Sequence, residues 1–171
     1  MNTILNKKYN LVYFLLLLVL SGCSYSFTGA SLPPEYKTFG IASFEDRTNS
    51  AEPNLVQKFR EKLLNTFISD NSLKYTDPNK ADLVFDVFIT GFSDQLSSIA
   101  SGENLKTKKI SISVSVVCYD IKNNKKYYEQ SFNNFQEYEI KQNVLVERSA
   151  AIEATIDKLC EDILLRTISN W

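Results

Sequence analysis

The side chains that could carry chemistry are few, and their spacing argues against catalysis. Asp82 and Asp86 are the best-aligned carboxylates, on one face of an alternating segment. Four extended residues at about 3.3 Å each set them roughly 13 Å apart, too far for a two-carboxylate hydrolytic pair. They read as a solvated sheet face. Serines are plentiful, but none lies in a nucleophile-elbow sequence, and the chain has no histidine to activate one. No glycine-rich phosphate loop occurs. Cys118 and Cys160 are too few and too far apart for a zinc site. They stay open between two buried free thiols and a helix-to-sheet disulfide. No catalytic set, metal site or cofactor is implied.

Binding chemistry is better represented. Lys106, Lys108 and Lys109 form one basic group, and Lys122, Lys125 and Lys126 a second, at opposite ends of the same expected strand. Either could donate charge-assisted hydrogen bonds to lipid phosphates or carboxylates; the alternative is ordinary solubilising, edge-protecting lysine. Phe88, Thr90, Phe92, Ser111, Ser113 and Ser115 read as one polar and aromatic sheet face with few charges. Interface centres are depleted in charge, so this face is a candidate partner surface, against a plainly solvated sheet.

The elements that position these residues follow from periodicity. Lys37–Phe44 is a strand candidate with Phe39 and Ile41 on one face. Leu55, Phe59, Leu63 and Phe67 recur every four residues and predict a helix, with Asn54 and Gln57 as a capping-box pair. Asp70-Asn71-Ser72 is a stop, and Leu73–Tyr75 a short strand candidate. Ala81–Phe92 alternates, with Ala81, Leu83, Phe85, Val87 and Ile89 inward. Residues 93–109 read as a long polar loop, and Ile110–Asp120 as the strongest strand. Lys122-Asn123-Asn124 is a hairpin turn leading to a partner strand over Lys125–Phe135. Val144–Ser169 is a helix with Leu145, Ser149, Ile152, Ile156, Leu159, Ile163 and Thr167 as its buried stripe. The sum is an α+β two-layer sandwich, two helices on one face of a mostly antiparallel four-stranded sheet.

The N-terminus sets the compartment. Met1–Asn10 carries Lys7 and Lys8 and no acid, and Leu11–Leu20 is an apolar run too short to span a membrane. Leu20-Ser21-Gly22-Cys23 resembles the bacterial lipobox, which implies cleavage before Cys23 and lipidation on it; the alternative is an ordinary signal peptide with an accidental cysteine. The organisation is then a leader over 1–22, a tether over 23–36 and one domain over 37–171. The net charge of −1 becomes −3 once the two leader lysines are gone, which gives no electrostatic footprint for nucleic acid.

The segment Cys23-Ser24-Tyr25-Ser26-Phe27-Thr28-Gly29-Ala30, the strand Phe39-Gly40-Ile41-Ala42-Ser43-Phe44 and the ending Glu161-Asp162-Ile163-Leu164 … Ser169-Asn170-Trp171 together resemble the LptE family of lipopolysaccharide-assembly lipoproteins. The resemblance covers essentially the whole mature chain. It implies a lipid-anchored, periplasm-facing protein of the outer membrane that partners the LptD β-barrel as a plug, with lipopolysaccharide as a further ligand and no catalysis. None of the family's ligand-contacting basic residues is carried over. Phe44-Glu45-Asp46-Arg47-Thr48-Asn49 also resembles periplasmic lipoproteins related to curli secretion channels and cell-wall-synthase activators. That alternative implies a homo-oligomeric pore or a synthase partner.

Overall fold

The computed structural model describes residues 32–48, 50, 52–99, 106–140 and 143–169. Cys23, the leader and most of the tether lie outside the described residues. In chain order the elements are β1 (Thr38–Asp46), α1 (Leu55–Asp70), β2 (Lys74–Tyr75), a 3₁₀ turn (Pro78–Lys80), β3 (Leu83–Ile99), β4 (Lys106–Asp120), β5 (Lys125–Glu139) and α2 (Val144–Ile168).

The sheet has five strands in the order β2-β1-β3-β4-β5 and is mixed. This corrects the expected mostly antiparallel four-stranded sheet, which lacked β2 and the two parallel pairings. β3, β4 and β5 form an antiparallel meander. β1 runs parallel to both β2 and β3. Parallel neighbours need a crossover connection, and α1 supplies it between β1 and β2.

Both helices cover one face. α1 buries Leu55, Phe59, Leu63 and Phe67, the stripe its four-residue spacing requires. Phe67 packs on Phe39 and Phe85 with ring centroids 4.8 and 5.3 Å away. The capping box does not form. Asn54 adopts φ 60° and makes no side-chain cap, while the Gln57 amide donates to Glu61 at 3.0 Å. The left-handed backbone turns the Asn54 side chain away from the orphan N–H groups it was expected to satisfy. At the other end Asn71, φ 61°, closes the helix with its N–H on the Phe67 carbonyl at 3.2 Å.

α2 buries Ile152, Ile156, Leu159, Ile163 and Thr167 as expected, together with Ala151, Thr155 and Cys160. Leu145, 78% exposed, and Ser149, only half-buried, are the exceptions: in the first turn it is Val144 that packs against the core, so the stripe there lies one residue earlier. Thr155 and Thr167 donate to the carbonyls of Ala151 and Ile163, 2.7 Å each, so their burial leaves no orphan hydroxyl.

The expected loop over 93–109 is largely strand. β3 continues to Ile99 and β4 starts at Lys106, with Gln95 opposite Lys109 and Leu96 opposite Lys108. These residues do not alternate in polarity because ladder hydrogen bonds, rather than burial of one face, hold them. Register shifts bracket Ala42, Thr90 and Ser97. A one-residue bulge exchanges the faces of everything beyond it.

Cys118 and Cys160 are fully buried free thiols. Cys118 lies opposite Tyr128 in the sheet, and burial, reinforced by nearby carboxylates, pushes both thiols up. An aromatic disulfide reagent is expected to modify neither in the folded protein and both after urea unfolding. Rapid labelling of either under native conditions would show that the layer opens locally.

Candidate partner interface

The face of the sheet away from the helices is built by the alternate residues of β3, β4 and β5. Phe88 lies opposite Ser115, Gly91 opposite Ser113, and Ser93 opposite Ser111. On the next strand, Ser131, Asn133 and Phe135 stand opposite Ser115, Ser113 and Ser111. The Asn133 amide donates to Ser113 Oγ at 2.7 Å. Small hydroxyl and amide groups thus form a shallow central patch. Phe135, 52% exposed, borders it with the Lys109 ammonium 5.3 Å from its ring. At the opposite margin the Arg47 guanidinium lies 3.4 Å over the Phe88 ring and is held by Glu45 at 3.2 Å. Burial pushes the Asp86 carboxyl above its ordinary range, against the opposing pull of the Ser43 N–H.

Five of the six residues read as a partner surface therefore stay on the uncovered side of the sheet or at its bulge: Phe88, Thr90, Ser111, Ser113 and Ser115. Phe92 does not. The bulge at Thr90 carries it to the helix side, opposite Ile112 and packed against the core. Simple alternation could not reveal that.

The lysines separate as expected, since Lys106 and Asp120 end β4, about 45 Å apart at 3.3 Å per residue. Most are engaged with carboxylates. Lys108 meets Asp94 at 3.3 Å, Lys122 meets Asp82 at 2.8 Å, Lys125 approaches Asp120 at 3.9 Å, and Lys126 pairs with Glu129. Lys106 and Lys109 lie at the far end, Lys106 on the surface and Lys109 on the open face.

Asp82 is not the solvated partner of Asp86. It accepts the backbone N–H groups of Lys37 and Thr38 at 2.8 and 3.0 Å, anchoring the start of β1. Burial alone would raise its carboxyl, but Lys122 and these N–H groups outweigh burial and hold it at about 2. Asp120, fully buried, accepts the Tyr36 hydroxyl at 2.8 Å and the Asn123 side-chain amide at 2.6 Å.

Sequence reading missed a third cluster. Arg148 on α2 donates from Nε to Asp94 at 2.8 Å and from Nη2 to Glu52 at 2.6 Å. Tyr138 donates to Asp94 at 2.9 Å. Burial raises the Asp94 carboxyl, yet Arg148, Tyr138 and Lys108 together hold it below the usual range. The members are up to 96 residues apart, so no local pattern announces them. Among the described residues, no cluster of carboxylates and thiols could hold a metal ion.

A family model described as LptE, lipopolysaccharide-assembly, matches residues 36–167. No curated protein matches the chain. Among solved structures, a minor lipoprotein from Acinetobacter baumannii is similar at 10% identity and TM-score 0.52, covering 78% of this chain and 94% of that one. A protein from Xanthomonas campestris gives 10% identity and TM-score 0.59, covering 81% and 90%. The PelC dodecamer from Paraburkholderia phytofirmans gives 11% identity and TM-score 0.51, covering 83% and 95%. These likenesses speak to the fold. Among the described residues, no helix is long and apolar enough to cross a membrane.

Proposed function

Because the chain belongs to the LptE family of lipopolysaccharide-assembly proteins, we propose that it is a non-catalytic lipoprotein, acylated on Cys23, that partners an LptD-type outer-membrane β-barrel. The observation that carries the reading beyond membership is the sheet face that, among the described residues, no helix covers. Ser111, Ser113 and Ser115, with Ser131 and Asn133 opposite, give it a centre that is hydrogen-bonding but uncharged. Such a surface loses little on desolvation against a complementary wall, because no ion is stripped of water.

Two acyl chains on Cys23 would hold the protein stably at a leaflet. The anchor's side of the domain follows from the N-terminal segment. Lys122 Nζ donates to the Glu35 carbonyl at 2.7 Å, and Tyr36 reaches Asp120. The segment therefore meets the domain at the Lys122, Lys125 and Lys126 end, which would face the leaflet's phosphates. The Lys106, Lys108 and Lys109 end would project away, with Lys109 best disposed to touch a lipopolysaccharide phosphate from the open face. Lys108 is less available, because Asp94 already engages it.

The test is purification of the full chain from outer membranes in mild detergent, in wild-type form and with Ser113→Lys or Ser115→Glu. A large β-barrel in near-equal amount is expected with wild type. Each charged variant should lower its yield at least tenfold, the effect of about 1.4 kcal/mol, without changing the monomer's unfolding midpoint. Recovery of wild type without a barrel, or as a ring of itself in the manner of a secretion channel, would sink the proposal.

A further inference from the structure

β5 ends the sheet, and its outer edge has no strand against it among the described residues. It is 15 residues long and contains no proline. Natural edges of this length are usually interrupted by charge, proline or pronounced bulging. Here the seven residues from Gln130 to Gln136 carry no charge at all. The outward backbone groups identify themselves by how the chain satisfies them. The Phe135 N–H donates to its neighbour Asn134 Oδ1 at 3.0 Å, and the Glu137 carbonyl accepts from Gln136 Nε2 at 3.2 Å. Because successive residues alternate, Glu129, Ser131, Asn133, Phe135 and Glu137 form the outward set. Local amides stand in for a missing ladder.

We propose that this edge pairs with a second copy of the chain, β5 antiparallel to β5 about a two-fold axis at Phe132, joining two sheets into one. The charge pattern of the strand chooses both partner and register. Ser131 then opposes Asn133, and Glu129 opposes Phe135. The register shift next to Tyr119, which leaves Tyr127 as an extra residue, brings Lys126 opposite Glu137. Symmetry supplies that opposite-charge pair twice. A slip of two residues in one direction sets Glu129 against Glu137, two like charges; in the other, Lys126 meets Phe135 and the ion pairs are lost. The exposed Phe135 ring gains the aliphatic stem of Glu129 as a neighbour. On the helix side, the flank of α2 over this end of β5 is formed by Ala150, Ala151 and Ala154, lining a groove of about 440 Å³ with Tyr138. Glu147, an exposed side chain, is the one helix residue larger than alanine that lines the groove.

The pairing goes beyond the barrel partnership and is tested without it, by sedimentation of the full acylated chain purified in detergent. Wild type is expected at twice the chain mass. Ser131→Pro removes only an outward N–H, so it should yield a monomer with wild-type circular dichroism. Glu137→Lys sets like charges opposite each other twice and should weaken the dimer roughly tenfold. The double variant Lys126→Glu/Glu137→Lys should recover it, which a general loss of folding could not mimic. A wild-type monomer at the highest soluble concentration overturns the proposal. So does a dimer indifferent to both Ser131→Pro and Glu137→Lys, or a ring of more than two chains.

Discussion

Replacing Asp120 with alanine is expected to lower the unfolding free energy by about 3 kcal/mol, measured by urea denaturation at neutral pH. The carboxylate is fully buried, and three donors converge on it: the Tyr36 hydroxyl, the Asn123 N–H and the Asn123 side-chain amide. Tyr36 is itself only 5% exposed, with its ring edge-on to Tyr127 at 5.4 Å. Its hydroxyl cannot turn to water when the acceptor is removed, and an orphaned buried donor costs about 1–3 kcal/mol. Asp120→Asn, which keeps an acceptor oxygen, should cost roughly half as much. The same group contributes to acid lability. Burial raises the Asp120 carboxyl, but Asn123, Tyr36 and Lys125 outweigh it and leave it below the ordinary range. A carboxyl depressed in the folded state binds protons less readily than in the unfolded chain. Its stabilisation is present above about pH 4, the unfolded value, and is lost as pH falls through the folded value. For Asp82 that folded value is about 2. Wild type should therefore lose stability between about pH 4 and pH 2, and Asp120→Ala should flatten that slope. An unchanged slope would remove Asp120 from the acid transition.

What the sequence made legible divides along one physical line. Where a segment's periodicity reports burial against the other layer, reading succeeded over most of its length, the first turn of α2 with Leu145 excepted. The four-residue stripe of α1 and the inward faces of β3 and β4 lie where alternation puts them, and so Phe88, Ser111, Ser113 and Ser115 share the outer side. The hairpin turn is likewise local, and Asn124 adopts φ 48° there. Reading failed where backbone pairing decides. The polar run from Ser93 to Ile99 carries no apolar period, yet it extends β3 because β4 offers it a ladder. β2 is two residues long, and nothing within it declares that it lies parallel to β1. A single bulge at Thr90 sent Phe92 to the core side. For the lysines, residue type was legible and availability was not. Asp82 stands 40 residues before Lys122, so only the fold shows that the ammonium is already engaged.

The Arg148 cluster gives the other large expected effect, because long-range contacts join there at partial burial. Arg148→Ala should destabilise the protein by about 3 kcal/mol. Arg148 is 27% exposed, and removing it strands two carboxylates, Glu52 at 10% and Asp94 at 18% exposed. Asp94 keeps Tyr138 and Lys108, so most of the penalty should fall on Glu52. Glu52→Gln introduced together with Arg148→Ala should then recover about 1–2 kcal/mol, since the uncompensated charge is gone. Lys108→Ala is the contrast. Its side chain is 35% exposed and its ammonium lies 3.3 Å from Asp94, and a surface pair of this kind is worth about 0.5 kcal/mol. The location of the damage is as telling as its size. Arg148 ties the first turns of α2 to Asp94 on β3, and its guanidinium lies 5.9 Å from the Phe92 ring. It is the fastening between the helix layer and the polar extension of the sheet. In Arg148→Ala, deuterium uptake should rise first in residues 93–99 and 106–109, while 110–118 stay protected beneath Ile152, Ile156 and Leu159. A uniform rise across the chain would mean that Arg148 contributes only to global stability and that the extension needs no fastening.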